Sequence, residues 1–228
     1  MNRPAVTEVL RYLGSYGMSD QADLALQAEN ALSLIEKHSA CRSIHQTFPL
    51  IPLDDRFLIG DAVFESRSLS RNLKGCSEVV IMACTLGPEP DRLIRRAQVT
   101  SLFNTALLQA ACTAWIEAYC DEVNQEIIDE AKKRSLYCRP RYSPGYGDLA
   151  LESQADVFRL LPIKKQIGVS LTEGFLMVPT KSVTALIGLS DTERNCILSG
   201  CEECDRNKAC IYSRTELANE RNQRKNTE

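Results

Sequence analysis

Glu78-Val-Val-Ile-Met-Ala-Cys-Thr85 contains the longest apolar run in the chain, Val79 to Cys84. The run has no polar alternation, so it predicts a strand buried on both faces rather than one facing water. It falls far short of the roughly 20 residues that a membrane helix needs, and no other run comes closer. Gly87 and Pro88 close the strand, and a helix is expected from there to about Ala97. Then Leu102, Ala106, Ala110, Thr113, Ile116, Cys120, Val123 and Ile127 recur at helical spacing. They predict one long helix from about Ser101 to Lys133.

Reading outward from this strand and helix gives the remaining elements. Residues 5–13 predict a short helix ended by Gly14. Ser19 and Asp20 can cap a second, running to about His38 with Leu24, Ala28, Ala31, Leu32 and Ile35 on one face. Residues 42–64 mix β-branched and aromatic residues with Pro49, Pro52, Gly60 and Asp61, a pattern of strands and turns. Ser66–Leu73 predicts a helix stopping at Gly75. Residues 137–150 read as an irregular loop, and Ser153 is expected to cap a helix over Gln154–Leu161. Thr172–Val178 and Ser182–Leu189 read as strands on either side of Pro179. Helices come first, then a mixture, then strands, which is α+β and not a regular βαβ repeat.

The composition sets limits on function. With 27 basic and 30 acidic side chains the net charge is -3, so no basic excess marks a nucleic-acid or membrane-surface partner. Apolar residues at 44% allow a packed core. The 10 cysteines form an even number, but the chain is long enough to fold without staples. Its first residues, Met1-Asn-Arg-Pro-Ala5, carry no signal-like apolar stretch. Cys84, Cys112 and Cys120 lie inside apolar patterns as small hydrophobes would. The expected setting is a reducing cytoplasm. His38 and His45, the two histidines, stand beside no nucleophile signature, and no Walker or Gly-x-Gly-x-x-Gly loop is present. Asp54, Asp55, Asp61 and Glu65 read as charged turns rather than as a divalent-metal site.

One segment says more. Arg139-Pro-Arg-Tyr-Ser-Pro-Gly-Tyr146 is followed by a helix ending Val157-Phe-Arg-Leu-Leu161. Then come Ile167-Gly-Val-Ser-Leu-Thr-Glu-Gly-Phe-Leu-Met-Val-Pro179 and Ser182-Val-Thr184. In this order the pieces resemble the activation domain of vitamin B12-dependent methionine synthase, in register over about residues 139–189. Tyr119-Cys-Asp-Glu-Val123 resembles a helix segment of the same family, and nothing before residue 80 matches it. The resemblance implies a twisted antiparallel or mixed sheet flanked by helices over residues 1–190, followed by a cysteine-rich tail over 191–228.

The resemblance also implies a function. The chain would be a stand-alone reactivation subunit that binds S-adenosylmethionine beside the 139–147 loop. It would support reductive methylation of cobalamin on a partner corrinoid methyltransferase, most simply methionine synthase, within methionine biosynthesis. An electron donor such as flavodoxin or ferredoxin would reduce the cobalt, and the cobalt would then attack the ligand's methyl group. The chain itself would contribute proximity and orientation, with no catalytic nucleophile of its own. The implied ligand contacts are Arg141, Ser143, Gly145, Tyr146 and Glu122. Their chemistry suits that role: a planar fork for a carboxylate, a side-chain-free approach, a flat ring, and a carboxylate for a cation or ordered water. The sequence departs from the family at Gly147-Asp-Leu-Ala-Leu-Glu152, where a histidine is missing. It departs again at Ile187, where a tyrosine is expected, and in lacking an Asp-Trp-x-Pro-Phe-Phe segment. It has no Asp-x-His-x-x-Gly cobalamin motif and no Rossmann fingerprint for a self-sufficient methyltransferase.

The tail supplies the alternative, a metal-binding or redox module. Cys196, Cys201, Cys204 and Cys210 are spaced to suit Zn²⁺ or an iron–sulfur cluster. The first three share the plant-ferredoxin spacing, while the fourth is too close for that fold. The Cys201–Cys204 pair also reads as redox-active, and the four together as reduced thiols on a charged tail.

Overall fold

A computed structural model of the chain describes residues 3–15, 22–54 and 56–193. Helix α1 (Val6–Tyr12) and helix α2 (Ala22–His38) precede strands β1 (Arg42–Leu53), β2 (Arg56–Ile59) and β3 (Ala62–Glu65). Helix α3 (Arg67–Asn72) leads to β4 (Glu78–Thr85), then α4 (Glu89–Thr100) and α5 (Leu102–Lys133). Beyond β5 (Tyr137–Cys138) lie a 3₁₀ turn (Leu151–Ser153), α6 (Gln154–Leu160) and α7 (Ile163–Ile167). The hairpin β6 (Ser170–Leu171) and β7 (Met177–Val178) precedes the last described strand, β8 (Ser182–Ser190).

Six strands form one sheet in the order β3-β2-β1-β4-β8-β5, and every pairing is antiparallel. Strand β4 lies in its middle between β1 and β8, with Ile81 opposite Gln46 on one side and Leu186 on the other. Because side chains alternate along a strand, its apolar run serves two cores. Val80, Met82 and Cys84 face α1, α2, α4 and α5, together with Ala185, Ile187 and Leu189 of β8. Val79, Ile81 and Ala83 face α3, α6, α7 and the β2–β3 hairpin, together with Leu186. The uninterrupted run is thus explained by burial on both faces, and the sheet is flanked by helices as expected.

Two local expectations are corrected. Ser153 does not cap α6: it is itself helical at φ -59°, ψ -13°, and makes no side-chain cap bond. The strand expected over Thr172–Val178 is reduced to β7, because Thr172 Oγ1 accepts from Leu176 N–H and Phe175 takes φ +59°, which turns the chain. The cap expected at Ser19 and Asp20 lies outside the described residues, as does Asp55. The helix expected over Ser66–Leu73 is α3, which Ser66 caps by accepting from Leu69 N–H at 3.0 Å, and Gly14 ends α1 at φ +76° as expected.

A long-range contact completes the cap of α3. Asp148 accepts from the Ser66 hydroxyl, from Arg67 N–H at 2.8 Å and from Ser68 N–H at 3.1 Å. The Ser66 hydrogen bond and the two backbone donors hold the Asp148 carboxyl well below the usual carboxylate range. A depressed carboxyl stabilises the fold fully above its unfolded pKa of about 3.9, and the benefit is lost as pH falls through the folded value. Asp148→Ala is therefore expected to lower stability at pH 7, with the gap to the native chain closing toward pH 2. Urea denaturation across that range measures it, and a gap independent of pH would exclude ionisation as the cause. A second prediction concerns β8. A Cβ at Gly188 would lie 2.6 Å from Cys76 Sγ and 2.8 Å from Leu73 Cδ2. Gly188→Val should then cost about 1–3 kcal/mol by overpacking, read as a lower urea midpoint.

Candidate functional site

The loop between β5 and the 3₁₀ turn is laid along β8 before it folds back. Arg139 N–H donates to Gly188 O at 2.7 Å, and Tyr142 exchanges backbone hydrogen bonds with Leu186 at 2.9 and 2.8 Å. The next residues close on themselves. Tyr146 N–H donates to Ser143 O, Leu149 N–H to Tyr146 O and Gly145 N–H to Leu149 O. This turn requires left-handed backbone at two glycines, Gly145 at φ +88° and Gly147 at φ +55°. A Cβ at Gly147 would lie 2.3 Å from the Tyr142 hydroxyl, which instead donates to Tyr146 O at 3.2 Å. Pro144 is buried beneath the turn and Tyr146 is 68% exposed above it.

Arg141 ties this loop to α5. Its Nη2 lies 2.7 Å from Asp121 Oδ1 and 3.4 Å from Glu117 Oε2, while the side chain is only 17% exposed. Its Nη1 is buried without a hydrogen-bond partner. Of the two terminal nitrogens, one is engaged by α5, and the other is held out of water with donor capacity to spare. An unpaired buried donor is costly, and a carboxylate or other acceptor placed beside it would relieve that cost.

The residues expected at the site are placed as follows. Arg141, Ser143, Gly145 and Tyr146 share the loop, and Arg141 is the member that reaches α5. Glu122 lies on α5 one residue beyond Asp121, within electrostatic reach of Cys41, whose thiol is pushed up mainly by burial. Two carboxylates missed in the sequence, Glu117 and Asp121, take the position facing Arg141. Their spacing of four residues puts them on one helical face, a visible signal, but nothing local ties them to a loop 20 or more residues away. Arg139 was missed as well. Its side chain is 4% exposed, and Nη1 donates to Thr192 O at 3.4 Å while Nε and Nη2 lack partners. Ile187, where the family tyrosine was expected, is fully buried in the core facing α5, so this position offers packing in place of a phenol.

The remaining candidates are outside this loop. Cys84, Cys112, Cys120 and Cys138 are buried and pack as core residues. Burial pushes the Cys112 thiol up to about 12, so it is neutral at physiological pH. His45 Nε2 lies 3.4 Å from Glu130 Oε2, and His38 ends α2. Among the described residues no three His, Cys, Asp or Glu side chains gather as metal ligands. Cys196, Cys201, Cys204 and Cys210 lie outside the described residues. Among those described, no helix is long and apolar enough to cross a membrane.

The family described as the activation domain of vitamin B12 dependent methionine synthase matches residues 101–205. A crystal structure of the MetH reactivation domain bound to AdoHcy shares the fold, with a TM-score of 0.61 and 18% sequence identity. The match covers 95% of this chain and 84% of that one. The fold likeness therefore extends into the first 80 residues, where the sequence showed none. None of the curated proteins matches the chain. By sequence over residues 101–205, and by fold over nearly its whole length, the chain resembles the activation domain of vitamin B12-dependent methionine synthase.

Proposed function

We propose that the chain binds S-adenosylmethionine between the 139–147 loop and α5, and serves as the reactivation component of a cobalamin-dependent methyltransferase, methionine synthase being the favoured partner. The observation that carries this reading is Arg141: a guanidinium 17% exposed, anchored through Nη2 and unpaired at Nη1. Such a fork is complementary to the carboxylate of an amino-acid ligand. The chain's other residues fit the rest of the molecule. Gly145 lets the backbone approach closely at φ +88°. Tyr146 presents an exposed ring for stacking, and Ser143 lies between it and Arg141 in the loop. Glu122 supplies negative charge on the neighbouring helix.

Bound S-adenosylmethionine supplies an electrophilic methyl group. The chain's own residues hold and orient; no nucleophile or general base is assigned among them. In this reading the cobalamin belongs to the partner, the reducing electron comes from a flavodoxin- or ferredoxin-like donor, and the setting is cytoplasmic. The methyl carbon must then be presented at the edge of the loop, where Tyr146 and Gly145 are exposed and a second protein can approach.

Calorimetric titration of S-adenosylmethionine into the full chain tests the reading. Losing one charged hydrogen-bond partner is worth about 1.5–3 kcal/mol, so Arg141→Ala should weaken binding roughly tenfold to a hundredfold. Absence of binding to the native chain, with and without a cob(II)alamin-loaded methyltransferase, would reduce the likeness to one of fold. Metal analysis of the same preparation reads the tail cysteines separately.

A further inference from the structure

Helix α5 carries Gln109, Thr113, Glu117 and Asp121 at intervals of four, one stripe along its side. Two loops grip that stripe through cations. Lys181 Nζ donates to Gln109 O at 3.4 Å and to Thr113 Oγ1 at 3.1 Å. One turn further on, Arg141 Nη2 meets Glu117 at 3.4 Å and Asp121 at 2.7 Å. The second contact has consequences for the ligand. One guanidinium already faces two carboxylates, so an incoming carboxylate meets both the attraction of Arg141 and the repulsion of Asp121 and Glu117. The Asp121 side chain is 44% exposed and the Glu117 side chain 34%, so Asp121 can turn into water without a new burial cost.

We infer that Asp121, backed by Glu117, is an internal stand-in for the ligand's carboxylate and thereby sets both affinity and specificity at the site. Resting on the reading that Arg141 receives the carboxylate of S-adenosylmethionine, the inference makes binding an exchange. The ligand's carboxylate takes the guanidinium, using the unpaired Nη1, as Asp121 releases Nη2. An adenosine thioether without the amino-acid group has nothing to exchange, so Arg141 stays latched to α5 and contributes nothing to its binding.

The sign of the effect is diagnostic. S-adenosylmethionine is cationic overall, so by simple charge attraction removing an acidic residue should weaken it. The latch requires the opposite. Exposed ion pairs are worth about 0.2–1 kcal/mol, so Asp121→Asn should tighten S-adenosylmethionine by roughly 1.5- to 5-fold. Binding of 5′-deoxy-5′-methylthioadenosine, which lacks the amino-acid group, should stay unchanged, and Asp121→Glu should restore native affinity. Calorimetry with the full chain reads all three. Weaker S-adenosylmethionine binding in Asp121→Asn would overturn the inference and make Asp121 a partner of the ligand's ammonium. Equal shifts for both ligands would overturn it too.

A ligand-free measurement separates this from failure of the functional reading. Urea midpoints of Arg141→Ala, Asp121→Ala and the double variant should be non-additive, because the two groups are paired. Additive midpoints while S-adenosylmethionine binds would overturn the latch alone. Non-additive midpoints with no S-adenosylmethionine binding in any variant would overturn the functional reading, and the latch with it, leaving the pair as a loop anchor.

Discussion

The architecture depends on burying β4 on both faces. A strand of this kind cannot sit at the edge of a sheet or face water, so helices must cover it above and below. The α5 side is closed by α1, α2, α4 and α5, and the opposite side by α3, α6, α7 and the β2–β3 hairpin. Strand β8, paired to β4 along its length, is then fixed against α5, and the loop that follows β5 is fixed against β8. The candidate site is a consequence of this order. Its loop runs where a strand edge and a helix side meet, with backbone groups paired to Leu186 and Gly188 and a guanidinium aimed at the helix.

Within that frame the loop is rigid for local reasons. Pro144 is buried, and Gly145 and Gly147 adopt backbone that other residues enter only with strain. Asp148 fastens the far end to the first turn of α3. The segment in which the sequence departs from the family therefore has a structural task of its own: Gly147 admits the Tyr142 hydroxyl and Asp148 caps a helix. Ile187 is a second departure with a plain cause, since a fully buried position among α5 residues favours an aliphatic side chain over a phenol that would need a partner.

Charge around Arg141 shows why an implied contact and an observed one are different things. The family resemblance implied the arginine as a carboxylate ligand, and its planar fork suits that role. That α5 would already offer it Asp121 and Glu117 was not legible, since the pair is 20 and 24 residues away in sequence. Arg139, two residues earlier, is a comparable fork on paper. Only the packing of Gly188 beside its Cγ shows that it is enclosed.

The sequence by itself determined the elements with strong periodicity: the doubly buried strand at 78–85, the long helix over 102–133, the short helix before Gly75, and the order of pieces that marks the family likeness. These are carried by neighbours within a few residues, where steric and hydrogen-bonding preferences act directly. It misjudged Ser153 and Thr172–Val178, where a helical turn and a reversal override weak local signals. Only the tertiary structure decided the strand order, the split of β4 between two cores, and the meeting of Arg141 with Asp121 and Glu117. Those depend on which distant segments are brought side by side, and that choice comes from burying apolar faces across the whole chain.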